Sequence, residues 1–187
     1  MILIGIDLSS KTGYAVLNDG KLTSYGLLTV ELVNFNVNND PNLQPEYPWN
    51  LMDAAWKQAE QVMKIIKDSG ATKVVIEQTV KGRNRHTQRW LEWAHFTIMT
   101  KFREENIDFT YLDPGQWRKT LEIKLSDADK KKHKDIKKGI IKRGKITKKH
   151  LSVRSANSLY NLKLKLKDND IADAICLATA LNQINEK

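Results

Sequence analysis

The chain begins Met1-Ile2-Leu3-Ile4-Gly5-Ile6-Asp7, an apolar run that ends on an acid. A run of this length and composition reads as a buried strand. Working outward, Gly13-Tyr14-Ala15-Val16-Leu17 and residues 22–30 flank Asn18-Asp19-Gly20. The Asp-Gly pair is a strong hairpin signal, so the chain opens as three antiparallel strands. A second apolar run, Val74-Val75-Ile76-Glu77, also ends on an acid. Between the two runs, Met52, Ala55, Trp56, Ala59, Val62, Met63 and Ile66 recur at helical spacing. They predict a helix over 51–69, with Asn50 as N-cap and Gly70 as its stop. Trp90, Trp93, Ala94, Ile98 and Phe102 predict another over 87–105. Residues 109–112 read as a strand, Asp113-Pro114-Gly115 as a turn, 116–121 as a short helix and 170–182 as an apolar helix. Residues 34–48, rich in Asn and Pro, and 81–85 read as loops. Strands first, then alternating helix and strand, predict an α/β domain with a mixed sheet flanked by helices.

One domain spanning 1–187 is the expectation for 187 residues with 41% apolar and 28% charged side chains. No stretch approaches the ~18 apolar residues of a membrane span, and no signal-peptide pattern is present at the start. The single cysteine, Cys176, excludes an internal disulfide and fits a reducing, cytoplasmic setting. The formal charge of +9 is uneven. Residues 118–167 hold 18 lysines and arginines against 4 aspartates and glutamates, a net +14 that leaves the rest at −5. A mildly acidic body with one strongly basic segment points to a polyanionic partner, although charge runs alone are weak signals. This segment predicts two helices broken near Gly144, with 124–150 low in complexity.

The acids carry the chemistry. Asp7 and Glu77 each end a predicted strand, and Asp170 and Asp173 lie near the start of the last helix. A separation of three puts the two aspartates on one helix face, with Cβ atoms about 5–6 Å apart. Asp168 and Asn169 read as cap residues, and Asp170 taken alone reads as a first-turn acid. Asp173 sits among Ala172, Ala174, Ile175 and Leu177, where an unpaired carboxylate is costly. Carboxylates brought together repel unless a cation stands between them. Oxygen ligands without thiolate or zinc-spaced histidine favour Mg²⁺, with Mn²⁺ as a substitute, over zinc. Two such ions are a means of hydrolysing phosphodiesters.

These residues carry a resemblance. Gly5-Ile6-Asp7 followed by Ser10 and Thr12-Gly13-Tyr14, Ile76-Glu77-Gln78, and Asp170-Ile171-Ala172-Asp173-Ala174 resemble, in order and rough spacing, the RuvC family of Holliday junction resolvases. Pro114 to Leu121, with Trp117-Arg118-Lys119 and the lysine-rich stretch after it, is similar to phage-type members. The resemblance covers nearly the whole chain. It implies an RNase H-like fold, a homodimer, and Mg²⁺-dependent cutting of four-way DNA junctions by Asp7, Glu77, Asp170 and Asp173 as catalytic metal ligands. Basic residues beside that site or in the basic segment, Lys11, Lys81, Arg83, Arg85, Arg89, Arg118, Lys119 and Lys124, are the candidate branched-DNA contacts, and the resemblance further implies a bacterial cytoplasm as the setting, with a phage source. Lys11, Lys119 and Lys124 are the candidates to steady the scissile phosphate. The helix over 87–105, with Trp90, Trp93 and Phe96, is the candidate dimer surface. Two features depart from the family pattern: the turn after Asp7 lacks the usual Pro-Gly pair, and Val80 stands where some bacterial relatives carry a base-stacking aromatic. Other readings of the same residues are an RNase H-type nuclease, a transposase or integrase, or a non-catalytic nucleic-acid-binding protein.

Overall fold

The structure, a computed structural model, describes residues 1–9, 11–29, 49–79, 85–140, 142 and 144–186, with the side chains of 85–87 excepted. The expected loop at 34–48 lies outside these residues, as do Val80, Lys81 and Arg83. Among the described residues no helix is long and apolar enough to cross a membrane.

Among the described residues five strands form one sheet: β1 Ile2–Asp7, β2 Lys11–Asn18, β3 Lys21–Thr29, β4 Lys73–Glu77 and β5 Phe109–Leu112. Their order is β3-β2-β1-β4-β5. β1, β2 and β3 pair antiparallel, and β4 and β5 add in parallel on the other side of β1. This is the mixed sheet expected from the sequence. Successive side chains of a strand point to opposite faces, and the central strands are apolar on both. On one face Ile4, Ile6, Val16, Val74 and Ile76 pack against α1 Trp49–Ser69 and α2 Arg85–Glu104. On the other, Leu3, Ala15, Leu17 and Val75 pack against α6 Asn169–Asn185 and, beyond it, α3 Pro114–Thr120 and α5 Lys148–Tyr160. The remaining helix, α4 Asp127–Lys137, belongs to the basic segment, which breaks before α5 with Gly144 at φ +96°.

α6 lies unusually close to the sheet. A Cβ on Gly5 would stand 2.5 Å from the Ala174 carbonyl oxygen, and one on Gly13 would stand 1.9 Å from that of Asp170. Bare backbone at these two positions therefore sets how deeply the helix seats.

The structure corrects three local expectations. Asp113-Pro114-Gly115 does not turn the chain but starts α3. Asp113 accepts from the Gly115 amide at 2.6 Å, and the Gln116 side chain accepts from the Asp113 amide at 3.1 Å, while Pro114 takes the first helical position, where no amide is needed. Asp168 does not cap α6 through its side chain, which accepts instead from the Lys165 amide at 2.8 Å. Met52 and Trp56, expected in the α1 core stripe, are 42% and 53% exposed, because Ala54 and Gln58 face inward beside the expected Ala55 and Ala59.

Candidate active site

The strand pleat aims the two strand-end acids. Asp7 shares its parity with Leu3 and Gly5, and Glu77 shares its parity with Val75, so both lie on the α6 side of the sheet. Ile6 pairs with Ile76 in the parallel register, which sets Asp7 beside Glu77 at the ends of adjacent strands. Asp7 also pairs with Gly13, over which the first turn of α6 is seated. The sequence thus brings residues 7, 77, 170 and 173 to one end of the sheet. All four remain partly open to solvent.

The turn leaving Asp7 is fixed from behind. The buried Gln58 side chain of α1 donates to the Ser9 carbonyl at 2.6 Å and to the Thr12 hydroxyl, which in turn donates to the Ser9 carbonyl at 2.7 Å. This network connects residues far apart in the sequence.

The carboxylates interact electrostatically. Desolvation raises the Asp7 carboxyl well above the usual range, and the charges of Glu77, Asp173 and Asp170 raise it further. Glu77 is raised by desolvation and then by Asp173. Desolvation also raises Asp170 and Asp173. Against this, the indole of Trp117 donates to Glu77 Oε2 at 2.8 Å, and the Arg118 charge favours the ionised forms of Asp7, Glu77 and Asp173. A hydrogen bond to a charged acceptor of this kind is worth about 1.5–3 kcal/mol.

Asp173 Oδ1 is buried and, among the described residues, has no hydrogen-bond partner. A buried carboxylate oxygen without a hydrogen bond, on a residue whose charge couples to those of Asp7, Glu77 and Asp170, fits a hard divalent cation in charge and in donor chemistry. The fit is incomplete in distance. Among the described residues no group of three or more His, Cys, Asp or Glu side chains is close enough to hold one ion as the side chains stand. Mutual repulsion keeps like charges apart, so a common ligand shell requires side-chain rotation.

The basic residues named from the sequence divide. Lys11 is exposed, and its charge reaches Asp170. Lys119 and Lys124 are exposed, and Arg89 is partly exposed on α2. Arg118 points inward, with its NH2 atom 3.9 Å from Asp173 Oδ1 and only 17% of its side chain exposed, so it faces the acids rather than open solvent. Arg85 opens α2, its side chain outside the described set; Lys81 and Arg83 lie outside it altogether. Sequence reasoning missed Lys149. It is exposed on α5, donates to the Asn169 side chain at 3.3 Å, and its charge lowers both Asp170 and Asp173. No sequence signal separates it from its many lysine neighbours. Only the packing of α5 against the start of α6 selects it.

No protein-family model matches the sequence, and no curated protein is significantly similar to it. Solved structures place the fold. It is the RuvC/RNase H-like fold, a mixed five-stranded sheet flanked by helices. Among its neighbours is RuvC of T. thermophilus in complex with a Holliday junction substrate, with a TM-score of 0.65 at 14% identity over 100% of this chain and 95% of that one. A second T. thermophilus RuvC structure gives 0.65 at 14% identity, over 100% and 96%. The yeast mitochondrial Holliday junction resolvase Ydc2 gives 0.56 at 12% identity, over 97% and 77%.

Proposed function

We propose that this protein is a divalent-metal-dependent endonuclease that resolves four-way DNA junctions by symmetric hydrolysis of phosphodiesters. The observation that carries the reading is the meeting of Asp7, Glu77, Asp170 and Asp173, from opposite ends of the chain, at one end of a resolvase-like sheet.

Asp7, Glu77, Asp170 and Asp173 would hold Mg²⁺, two ions in the fullest arrangement, with Mn²⁺ able to replace it. When bound, the metal lowers the pKa of water and stabilises charge on the attacking and leaving oxygens. The chain's own residues do the rest. Trp117 fixes one oxygen of Glu77 through its indole N–H, leaving the other free to turn toward the shared point. Lys11 and Lys149 flank Asp170 and draw the phosphate of the cut strand toward the acids. The exposed lysines of α4, with Lys119 and Lys124, take up neighbouring phosphates. Binding by such contacts falls steeply with added salt, because each neutralised phosphate releases counterions.

A four-way junction has two-fold symmetry, and a two-fold homodimer would match it with paired sites. α2 offers the surface. Phe96 is 69% exposed, and Met52, Trp56 and Trp93 line the same groove between α1 and α2. Trp90, expected to share that surface, is instead 3% exposed and belongs to the core.

The test is cleavage of a synthetic four-way junction, a flap and an RNA–DNA hybrid, each with Mg²⁺ and with chelator. Paired, chelator-sensitive nicks in the junction are expected. Preferred cutting of the hybrid would move the chain to an RNase H-type activity, and binding without cutting on any substrate would make it a non-catalytic binder.

A further inference from the structure

α3 has seven residues, Pro114–Thr120, and two of them serve the acidic cluster. Trp117 is fully buried and donates to Glu77. The Arg118 guanidinium lies over the Trp117 ring, 4.1 Å from its centroid, donates from NH1 to the Pro114 carbonyl at 3.2 Å, and turns NH2 toward Asp173. That approach is unfinished on both sides. At 3.9 Å it is too long for a hydrogen bond, and among the described residues neither Asp173 Oδ1 nor the buried Nε of Arg118 has a hydrogen-bond partner, although the Ser152 hydroxyl also favours the ionised Asp173 carboxyl. A buried ion pair that leaves its hydrogen-bonding groups unsatisfied repays little of its desolvation cost. Such a pair is easily exchanged. No other arginine or lysine forms an ion pair with the four acids among the described residues.

We propose that Arg118 is a resident counter-cation: it neutralises the acid cluster while no metal is bound, and a divalent ion displaces it from Asp173. The inference rests on the metal-site reading above. It makes Arg118 a positioning residue and gives its removal an unusual sign. A residue that helps to build a metal site weakens binding when it is lost. A resident competitor strengthens binding when it is lost, because the incoming ion no longer has to expel a positive charge.

The experiment is calorimetric titration of Mn²⁺ into the DNA-free protein, for the unaltered chain, Arg118→Met and Arg118→Lys. Arg118→Met keeps the apolar stem over Trp117 and is expected to bind Mn²⁺ about tenfold more tightly, equal to ~1.4 kcal/mol. Arg118→Lys keeps the charge and is expected to stay within about twofold of the unaltered protein. On an Asp173→Asn background, the gain from Arg118→Met is expected to vanish, since the competed ligand is already gone. The metal-free melting temperature of Arg118→Met is expected to drop more than the Mn²⁺-saturated one. Unchanged or weaker Mn²⁺ binding in Arg118→Met, with the unaltered chain binding normally, overturns the inference alone. Failure of the unaltered chain to take up Mn²⁺ overturns the metal site and the inference together.

Discussion

Gly13→Ala separates a seated α6 from a loosely placed one. In an open strand this substitution would be favourable, since glycine costs roughly 0.5–1 kcal/mol relative to alanine in a regular element. Here the new Cβ would lie 1.9 Å from the Asp170 carbonyl oxygen and 2.3 Å from its carbonyl carbon. Ordinary contact begins near 3.4 Å. The first turn of α6 must therefore retreat by about 1.5 Å, and the obstruction is backbone, which cannot swing aside as a flexible side chain does. Overpacking of this kind costs about 1–3 kcal/mol, enough to reverse the intrinsic gain. The moving turn carries Asp170, with Asp173 one turn on, while Asp7 stays in β1. A misplacement of about 1 Å at a reacting centre can cost on the order of a hundredfold. The assay is single-turnover cleavage of a labelled four-way junction, with binding measured separately in Ca²⁺ and stability by thermal melting. The expected outcome is a lower melting temperature, a cleavage rate reduced about a hundredfold, and junction affinity within a few-fold. A Gly13→Ala protein that melts and cuts like the unaltered one would refute the seating of α6 over β2, and with it the placement of the acids.

Further outcomes follow from other parts of the structure. Asp7→Asn removes a carboxylate whose ionised form is opposed by burial and three like charges; it is expected to raise the metal-free melting temperature at pH 7.5 while abolishing cleavage, and a variant that still cuts normally would contradict the assignment. His95, hydrogen-bonded through Nδ1 to Tyr111 at 2.8 Å, is pushed down to about 4 by burial. The fold therefore holds it neutral, and its contribution, present above the unfolded value near 6.5, is lost as pH falls from there toward 4. The stability advantage over His95→Gln is expected to shrink by about 2 kcal/mol between pH 7.5 and 5 in urea titrations, and parallel pH curves would contradict it. Phe96→Glu is expected to leave monomer stability within ~0.5 kcal/mol and to shift a sedimenting dimer to monomer; an unchanged dimer would place the interface elsewhere.

Much of the scaffold is legible in residue order. The runs ending at Asp7 and Glu77 are short, apolar and rich in β-branched residues, so they read as strands covered on both faces, and the pairing of Ile6 with Ile76 then carries both acids to the same face. Ala172 to Leu181 reads as a buried helix because its apolar stretch, rich in alanine, is longer than a strand. Misreadings arose where one local signal serves two structures. Asp-Pro-Gly marks a turn, yet Gln116 three residues on turns the same triplet into a helix start. Trp56 fits a helical stripe by spacing, but the small Ala54, Ala55 and Ala59 are what let α1 approach the sheet, and the large rings are left at the rim. The roles of Arg118, Lys149 and Gln58 could not be read at all. Each depends on a contact between residues distant in sequence: α3 facing α6, α5 over the start of α6, and α1 behind the turn after Asp7.

Anomalous diffraction from a crystal of this protein soaked in Mn²⁺ tests the ligand set without relying on any assay of DNA. The account predicts an anomalous peak at the end of β1, within bonding distance of an Asp7 oxygen and of oxygens of Glu77 or Asp173, with the Arg118 guanidinium drawn back. A peak absent from that position, with the four carboxylates still directed away from a common point, would contradict it.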